Sequence, residues 1–326
     1  VGFKASEGRL PDAGRGSVPI GQQAIPSQLG LLARKVEDIV LAFGIVTGSA
    51  VPESSGAEAI DLARLVVGKF VDDGTFAPCA AAVRAVNEAA EALGAAGATV
   101  VSFDLPRVEE VADLFYGILA GDGGRGISRF LAGTKKDPRI AQLLLAGSVK
   151  GPVRAALLAA LRVSGRRKAA DLIGIYGNVH TGDYWDRVER LVDYRASFLE
   201  ALDSASRPID VILSPACALP APKHGATADL AVMGTYTSLY NVLGYPAGVV
   251  PFTRVRPGEE TKTARGRDRM DRTAAESEKG SAGLPVGVQI AARHGQDDTA
   301  LAVMSAVQAA AERRPDYPQW SPMGAF

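Results

Sequence analysis

The sequence predicts an α/β fold around a large mixed β-sheet, and three observations carry that prediction. Residues 65–71 (LVVGKFV) and 99–103 (TVVSF) are short β-branched runs separated by an Ala-rich helical stretch. Such a strand–helix–strand unit calls for parallel pairing. Further apolar runs at 209–214, 248–252 and 286–292 are nearly continuous, as in strands buried on both faces. Helical periodicity dominates 107–205, between the two groups of strands.

Taken in order, Val1 to Lys4 reads as a strand already in progress, with neither an initiator methionine nor a signal-peptide pattern before it. The expectation is a fragment whose N-terminal part is missing and which therefore leaves sheet and core surface uncovered. Gly, Pro and Ser mark the rest of 1–30 as a structured loop region. Residues 34–47 have helical spacing, with Glu37 and Asp38 near the start, and a Pro/Ser-containing linker follows at 50–57. Pro78 opens a helix running to Leu93, which Gly94 and Gly97 end. The helical region is broken at 121–126, Gly133 and Gly151-Pro152. TYTSLYNVL at 235–243 is a helix with Gly244 as its cap, and 297–313 is the last helix. Residues 254–283 balance acids against bases and offer Val255 and Met270 as almost their only large apolar side chains. That composition predicts a flexible polar loop.

The 326 residues, 47% of them apolar, suffice for one large domain or two smaller ones. Thirty-six basic and 36 acidic residues cancel, which gives no footprint for nucleic acid. Cys79 and Cys217 lie far apart and read as buried small hydrophobes in a reducing, cytoplasmic setting. His180, His224 and His294 lack metal-ligand spacing, so neither a metal nor a cofactor is expected. His224 follows a predicted strand end, where ligands bind in many α/β folds, but a solvated histidine is the simpler reading.

Several nucleophile and phosphate motifs are missing. G-x-S-x-G, S-x-x-K and H-E-x-x-H do not occur, and Gly68-Lys69 lacks the hydroxyl of a phosphate loop. The match GDGGRG at 121–126 satisfies G-x-G-x-x-G but follows a helical segment instead of a strand, so it reads as a glycine break between helices. Residues 139–168 combine Leu and Ala clusters with Lys150, Arg154, Arg162 and the run 166–168, and contain no acid. Two readings fit: an interfacial helical cap on a membrane, or an ordinary helical hairpin with a basic outer face.

Four blocks then resemble one family. GFKASEGRL at 2–10 is similar to the G-[FLY]-K-P-T-x-G-R-[LIV] segment of amidase-signature enzymes, with Ala5 and Ser6 in place of Pro and Thr. LLARKVED at 31–38, GYPAGVVP at 244–251 and GLPVGVQ at 283–289 match further segments in the family's order. YTSLYNVLG at 236–244 and DGGR at 122–125 look most like fatty acid amide hydrolases. The resemblance implies an α/β/α fold and a Ser–Ser–Lys hydrolase acting on carboxamides or esters. Its backbone oxyanion hole and all three catalytic residues would lie upstream of Val1. Lys4 and Ser6 match structural positions, so no catalytic residue is assigned in this chain. By the same resemblance Leu119, Ala120, Tyr236, Thr237 and Tyr240 lie near the acyl or leaving-group channel, and 139–168 falls where these enzymes carry a membrane cap.

The expected function is cleavage of an apolar or long-chain acyl amide or ester by the parent protein. The alternatives are a non-catalytic remnant or binding partner, and an amidotransferase A-type subunit. Against the last, Gly234 stands where that subfamily usually has an acid. The expected partner is a small-molecule amide or ester, with a homodimer and peripheral membrane contact through 139–168 as further candidates.

Overall fold

The computed structural model describes residues 1–11, 21–48, 60–135, 137–177, 179–263 and 265–319. Its strands are β1 (Gly2–Lys4), β2 (Gly30–Leu32), β3 (Val66–Lys69), β4 (Thr99–Ser102), β5 (Val211–Pro215), β6 (Ala247–Arg254) and β7 (Pro285–Ala292). They form one sheet in the order β2-β1-β6-β7-β5-β3-β4. β3 pairs in parallel with β4 and with β5, while the other neighbours are antiparallel. The sheet is therefore mixed, as expected. Only β2, three residues long, escaped the sequence reading. The linker expected at 50–57 lies outside the described residues.

The helices are α1 (Val36–Thr47), α2 (Ala80–Ala95), α3 (Glu110–Leu119), α4 (Arg125–Phe130), α5 (Pro138–Ser148), α6 (Gly151–Val163), α7 (Arg167–Ile175), α8 (Thr181–Asp203), α9 (Thr235–Leu243), α10 (Arg269–Glu278) and α11 (Asp297–Glu312). They make the outer layers of an α/β/α sandwich. Alternation along each strand divides the core. Val67, Val211 and Leu213 face α1, α2 and α11, whereas Val66 and Ile212 face α3, α8, α9 and α10. Burial on both faces explains why these strands are continuous apolar runs. In β6, Pro251 sits at a register shift where its missing N–H leaves no ladder bond unmade.

Residues 254–283 correct the sequence reading, because they are not a flexible polar loop throughout. They contain α10, whose first turn Asp268 caps by accepting from the Met270 N–H, and whose Met270 and Ala274 are buried. Arg265 and Glu278 form a buried ion pair, and the Arg265 guanidinium lies 5.0 Å from the centroid of the Phe76 ring. The segment orders itself through charge pairs, which a count of apolar residues overlooks.

Residues 139–168 fall in α5, α6 and the start of α7, with breaks at 149–150 and 164–166. α6 has no buried residue, and Leu145, Val153 and Val163 are 65%, 68% and 90% exposed. Several of the cations are engaged inward. Arg154 donates to the carbonyls of Ile173 and Gly174 at the end of α7, Arg162 pairs with Asp171, and Lys168 pairs with Asp271 on α10. No helix among the described residues is long and apolar enough to cross a membrane.

The segment following β1 is locked by Asp297 at the start of α11. Ser6 donates its N–H (2.8 Å) and its hydroxyl (2.6 Å) to the buried Asp297 carboxylate, and its Oγ accepts from the Gly295 N–H at 2.9 Å. Lys4 donates to the carbonyls of Tyr245 at 2.5 Å and Ala5 at 3.2 Å. Both side chains are thus used inside the fold. Removing the carboxylate strands two buried donors. Asp297→Ala is expected to lower stability by about 3 kcal/mol, read as a reduced urea midpoint with an unchanged slope. A change within error would show that the contact is dispensable.

Burial lowers the Lys4 ammonium from 10.5 to about 8, against the opposing pull of Asp297 and Glu7, with Arg195 adding to the depression. Below pH 8 the ammonium is charged in both the folded and unfolded chain, and its desolvation costs stability. Between about 8 and 10.5 the folded chain has released a proton that the unfolded chain still holds, so stability rises with pH. The urea midpoint of wild type relative to Lys4→Met is therefore expected to climb across that window. Parallel pH curves for the two proteins would refute it.

Candidate functional site

The candidate site is the surface where α3, the turn after it, and α9 meet above the ends of β3, β5 and β7. α9 is short, and it is fixed by buried polar contacts more than by its length. Asp73, in the turn after β3, accepts from the N–H groups of Thr75 (2.9 Å) and Phe76 (3.1 Å) and from the Thr235 hydroxyl at the first residue of α9. Burial pushes the Asp73 carboxyl above its usual range, opposed by these three donors. The Tyr236 hydroxyl accepts from the Asp73 N–H at 3.2 Å and donates to the Phe76 carbonyl at 3.1 Å, while its ring stacks on Phe70. The Tyr240 hydroxyl lies 3.0 Å from Ser214 Oγ on β5, and Gln289 on β7 donates to the Tyr236 carbonyl at 3.0 Å. Burial raises both phenols far above their ordinary value. Gly244 ends the helix with φ 69°, and a Cβ there would lie 2.7 Å from a Glu7 carboxylate oxygen.

The five residues expected at the channel therefore occupy different places. Tyr236 and Tyr240 are fully buried beneath α9, with their hydroxyls engaged by the strand ends. Thr237 is exposed and donates to the Gly234 carbonyl at 2.8 Å. Leu119 and Ala120, at the end of α3, are half-buried, and α3 packs along α9. Leu119 lines a cavity of 600 Å³ with Ile118, Tyr184 and Phe130 among its apolar walls.

Sequence reasoning passed over two tyrosines. Tyr116 is hydrogen-bonded to Ser238 of α9, and its ring lies 5.8 Å from that of Tyr176 just after α7. Burial raises the Tyr176 phenol to about 12. The spacing of Tyr116 from Leu119 and Ala120 (i, i+3, i+4) puts the three on one helix face, a signal that was available. Asp73 gave a fainter one, an Asp-Gly turn after a strand.

The turn after α3 explains the GDGGRG match without a phosphate. Asp122 accepts from the N–H groups of Gly124 (2.7 Å) and Gly126 (2.7 Å), which a bound anion would otherwise need. Gly124 has φ 80°, and a Cβ there would lie 2.6 Å from Leu144 of α5. The glycines serve a tight turn and close helix packing. Among the described residues no group of three His, Cys, Asp or Glu could hold a metal ion. His180, His224 and His294 are exposed, Cys79 is buried with its thiol pushed up to about 12, and burial also raises Cys217.

The sequence profile of the family described as Amidase matches residues 1–301. Fatty acid amide hydrolase 1 of Caenorhabditis elegans is 30% identical over 327 residues, covering 95% of this chain and 56% of the worm protein. Fatty-acid amide hydrolase 1 of Sus scrofa is 29% identical, covering 94% of this chain and 55% of the pig protein. A solved fatty acid amide hydrolase structure superimposes with a TM-score of 0.69 at 19% identity, over 94% of this chain and 52% of that one. The chain spans about half the length of the relatives it matches. With the four ordered sequence blocks, the mixed sheet and a profile match across 1–301, this chain belongs to the amidase family.

Proposed function

We propose that the protein carrying this chain hydrolyses a carboxamide or ester of an apolar, long-chain acyl substrate, and that this chain provides the scaffold and the acyl wall. The observation that carries the reading is the 600 Å³ cavity at the end of α3, walled by Ile118, Leu119, Phe130 and Tyr184. Its size is ordinary for a small-molecule site. On this reading Leu119 belongs to the substrate side of the wall, Ala120 beside it and the exposed Thr237 of α9 are its neighbours outside the cavity lining, and Tyr236 and Tyr240 hold α9 in place from below. No catalytic group is assigned to Lys4 or Ser6, whose polar atoms are committed to the fold. A cytoplasmic setting with peripheral membrane contact suits such a substrate.

Turnover by the complete protein tests this directly. Long-chain fatty amides and long-chain p-nitrophenyl esters are expected to be hydrolysed, and a fluorophosphonate probe to label the protein. Leu119→Trp, which narrows the acyl wall, is expected to raise KM for long-chain substrates several-fold more than for short-chain ones. An unlabelled, inactive protein would sink the proposal.

Membrane contact through 139–168 rests on the exposed Leu145, Val153 and Val163. Arg154, Arg162 and Lys168 are engaged within the protein, while Lys150, Arg166 and Arg167 make no side-chain hydrogen bond or ion pair among the described residues. Cosedimentation with vesicles is expected to fall on Val153→Glu or Val163→Glu, and anionic lipid is expected to strengthen the binding of wild type. Equal pelleting of both variants and wild type would rule this surface out.

A further inference from the structure

The cavity at the end of α3 carries a charge that a neutral amide does not use. Arg125 and Arg129 lie one turn apart on α4, and both line the cavity. Neither forms a side-chain hydrogen bond or ion pair among the described residues. Asp122 is the one carboxylate in the cavity's lining among the described residues, and its oxygens accept from the Gly124 and Gly126 N–H groups at 2.7 Å each. The lining therefore holds two guanidiniums without a side-chain partner against one backbone-bonded carboxylate, a net positive charge beside the apolar surfaces of Ile118, Leu119, Phe130 and Tyr184. Nearby arginines are paired, Arg187 and Arg190 of α8 with Asp113 on α3, and Arg107 just before α3 with Glu110.

We propose that the cavity binds a long-chain acyl carboxylate, with Arg125 and Arg129 holding the carboxylate and the apolar walls the chain. Guanidinium groups suit this task because their planar donor forks match the two oxygens of a carboxylate. The inference deepens the acyl-hydrolase reading and rests on it for the acyl chain, while the anionic end follows from the cavity lining. Two molecules share this chemistry: a free fatty acid, which amide hydrolysis releases, and an N-acyl amino acid, whose amide is itself hydrolysable. In either case an exposed Arg pair gives a modest, salt-sensitive gain.

The test is equilibrium binding to the complete protein, which needs no turnover and so fails or succeeds separately from the hydrolase reading. Oleate, N-oleoylglycine and the neutral oleamide are titrated against wild type and against Arg125→Gln/Arg129→Gln. Both substitutions sit at exposed positions, and circular dichroism and the melting temperature check that the fold is intact. Binding of at least one carboxylate is expected to weaken about five- to tenfold in the double variant and with added salt, while oleamide binding stays the same. The carboxylate that shows the loss identifies the source, product or substrate. The proposal is overturned if oleamide binds wild type as tightly as either carboxylate, or if the double variant keeps full affinity for both.

Discussion

The site depends on how α9 is bound to the sheet. A nine-residue helix is too short to be stable alone, and this one carries two threonines and a serine among its first four residues. Those side chains would favour non-helical backbone if they were exposed. Here Thr235 and Tyr236 bond to the turn after β3, Tyr240 bonds to β5, and β7 reaches back through Gln289. Each partner comes from a different strand, so register errors in the sheet would leave one of these groups buried and unsatisfied. A buried polar group without a partner costs about 1–3 kcal/mol, enough to penalise a misplaced α9. The exposed Thr237 and the Ser238–Tyr116 contact to α3 inherit their positions from that anchoring.

This anchoring also gives the resemblance-derived residues their physical roles. Within YTSLYNVLG, Tyr236 and Tyr240 point into the fold, and their burial raises both phenols far above the range in which they could exchange protons near neutrality. Thr237 lies on the outer side of the same helix. A motif of one helix thus divides between support and surface by helical periodicity. Sequence spacing alone states that division once the buried side is known, and the buried side is set by strands far away in the chain.

Most of the sheet was legible because its signal is local. β-branched runs bounded by glycine and proline marked β3, β4, β5, β6 and β7, and Gly244 marked the end of α9 through a backbone conformation that glycine adopts readily. β2 was hidden because three residues carry no period. α10 was hidden for a different reason: its stability resides in Arg265–Glu278, Lys168–Asp271 and the stacking of Arg265 on Phe76. Charges of both signs in a polar stretch look alike whether they pair or face water. For the candidate site, the resemblance pointed to Leu119 and Ala120 at the end of α3, whereas the contacts of Asp73 with α9 and of Tyr176 with Tyr116 exist only in the folded chain.

The basic run at 139–168 shows how pairing changes what a charged sequence can do. Read alone, the run offers cations to a negative surface. In the fold, Lys168 reaches Asp271 at 2.5 Å, Arg269 donates its N–H to the Gly165 carbonyl, and Arg154 ties α6 to the end of α7. The acid-free segment and the mixed-charge segment 254–283 therefore stabilise each other, and each looked unstructured or misdirected without the other. Besides Arg162, what α6 turns outward includes Val153, Leu157, Val163 and alanine. Arg125 and Arg129 on α4 differ from the paired cations of this run in lining the α3 cavity. The α3 cavity differs from the α6 surface in being concave, so its apolar walls and its two arginines border one enclosed space instead of an open face.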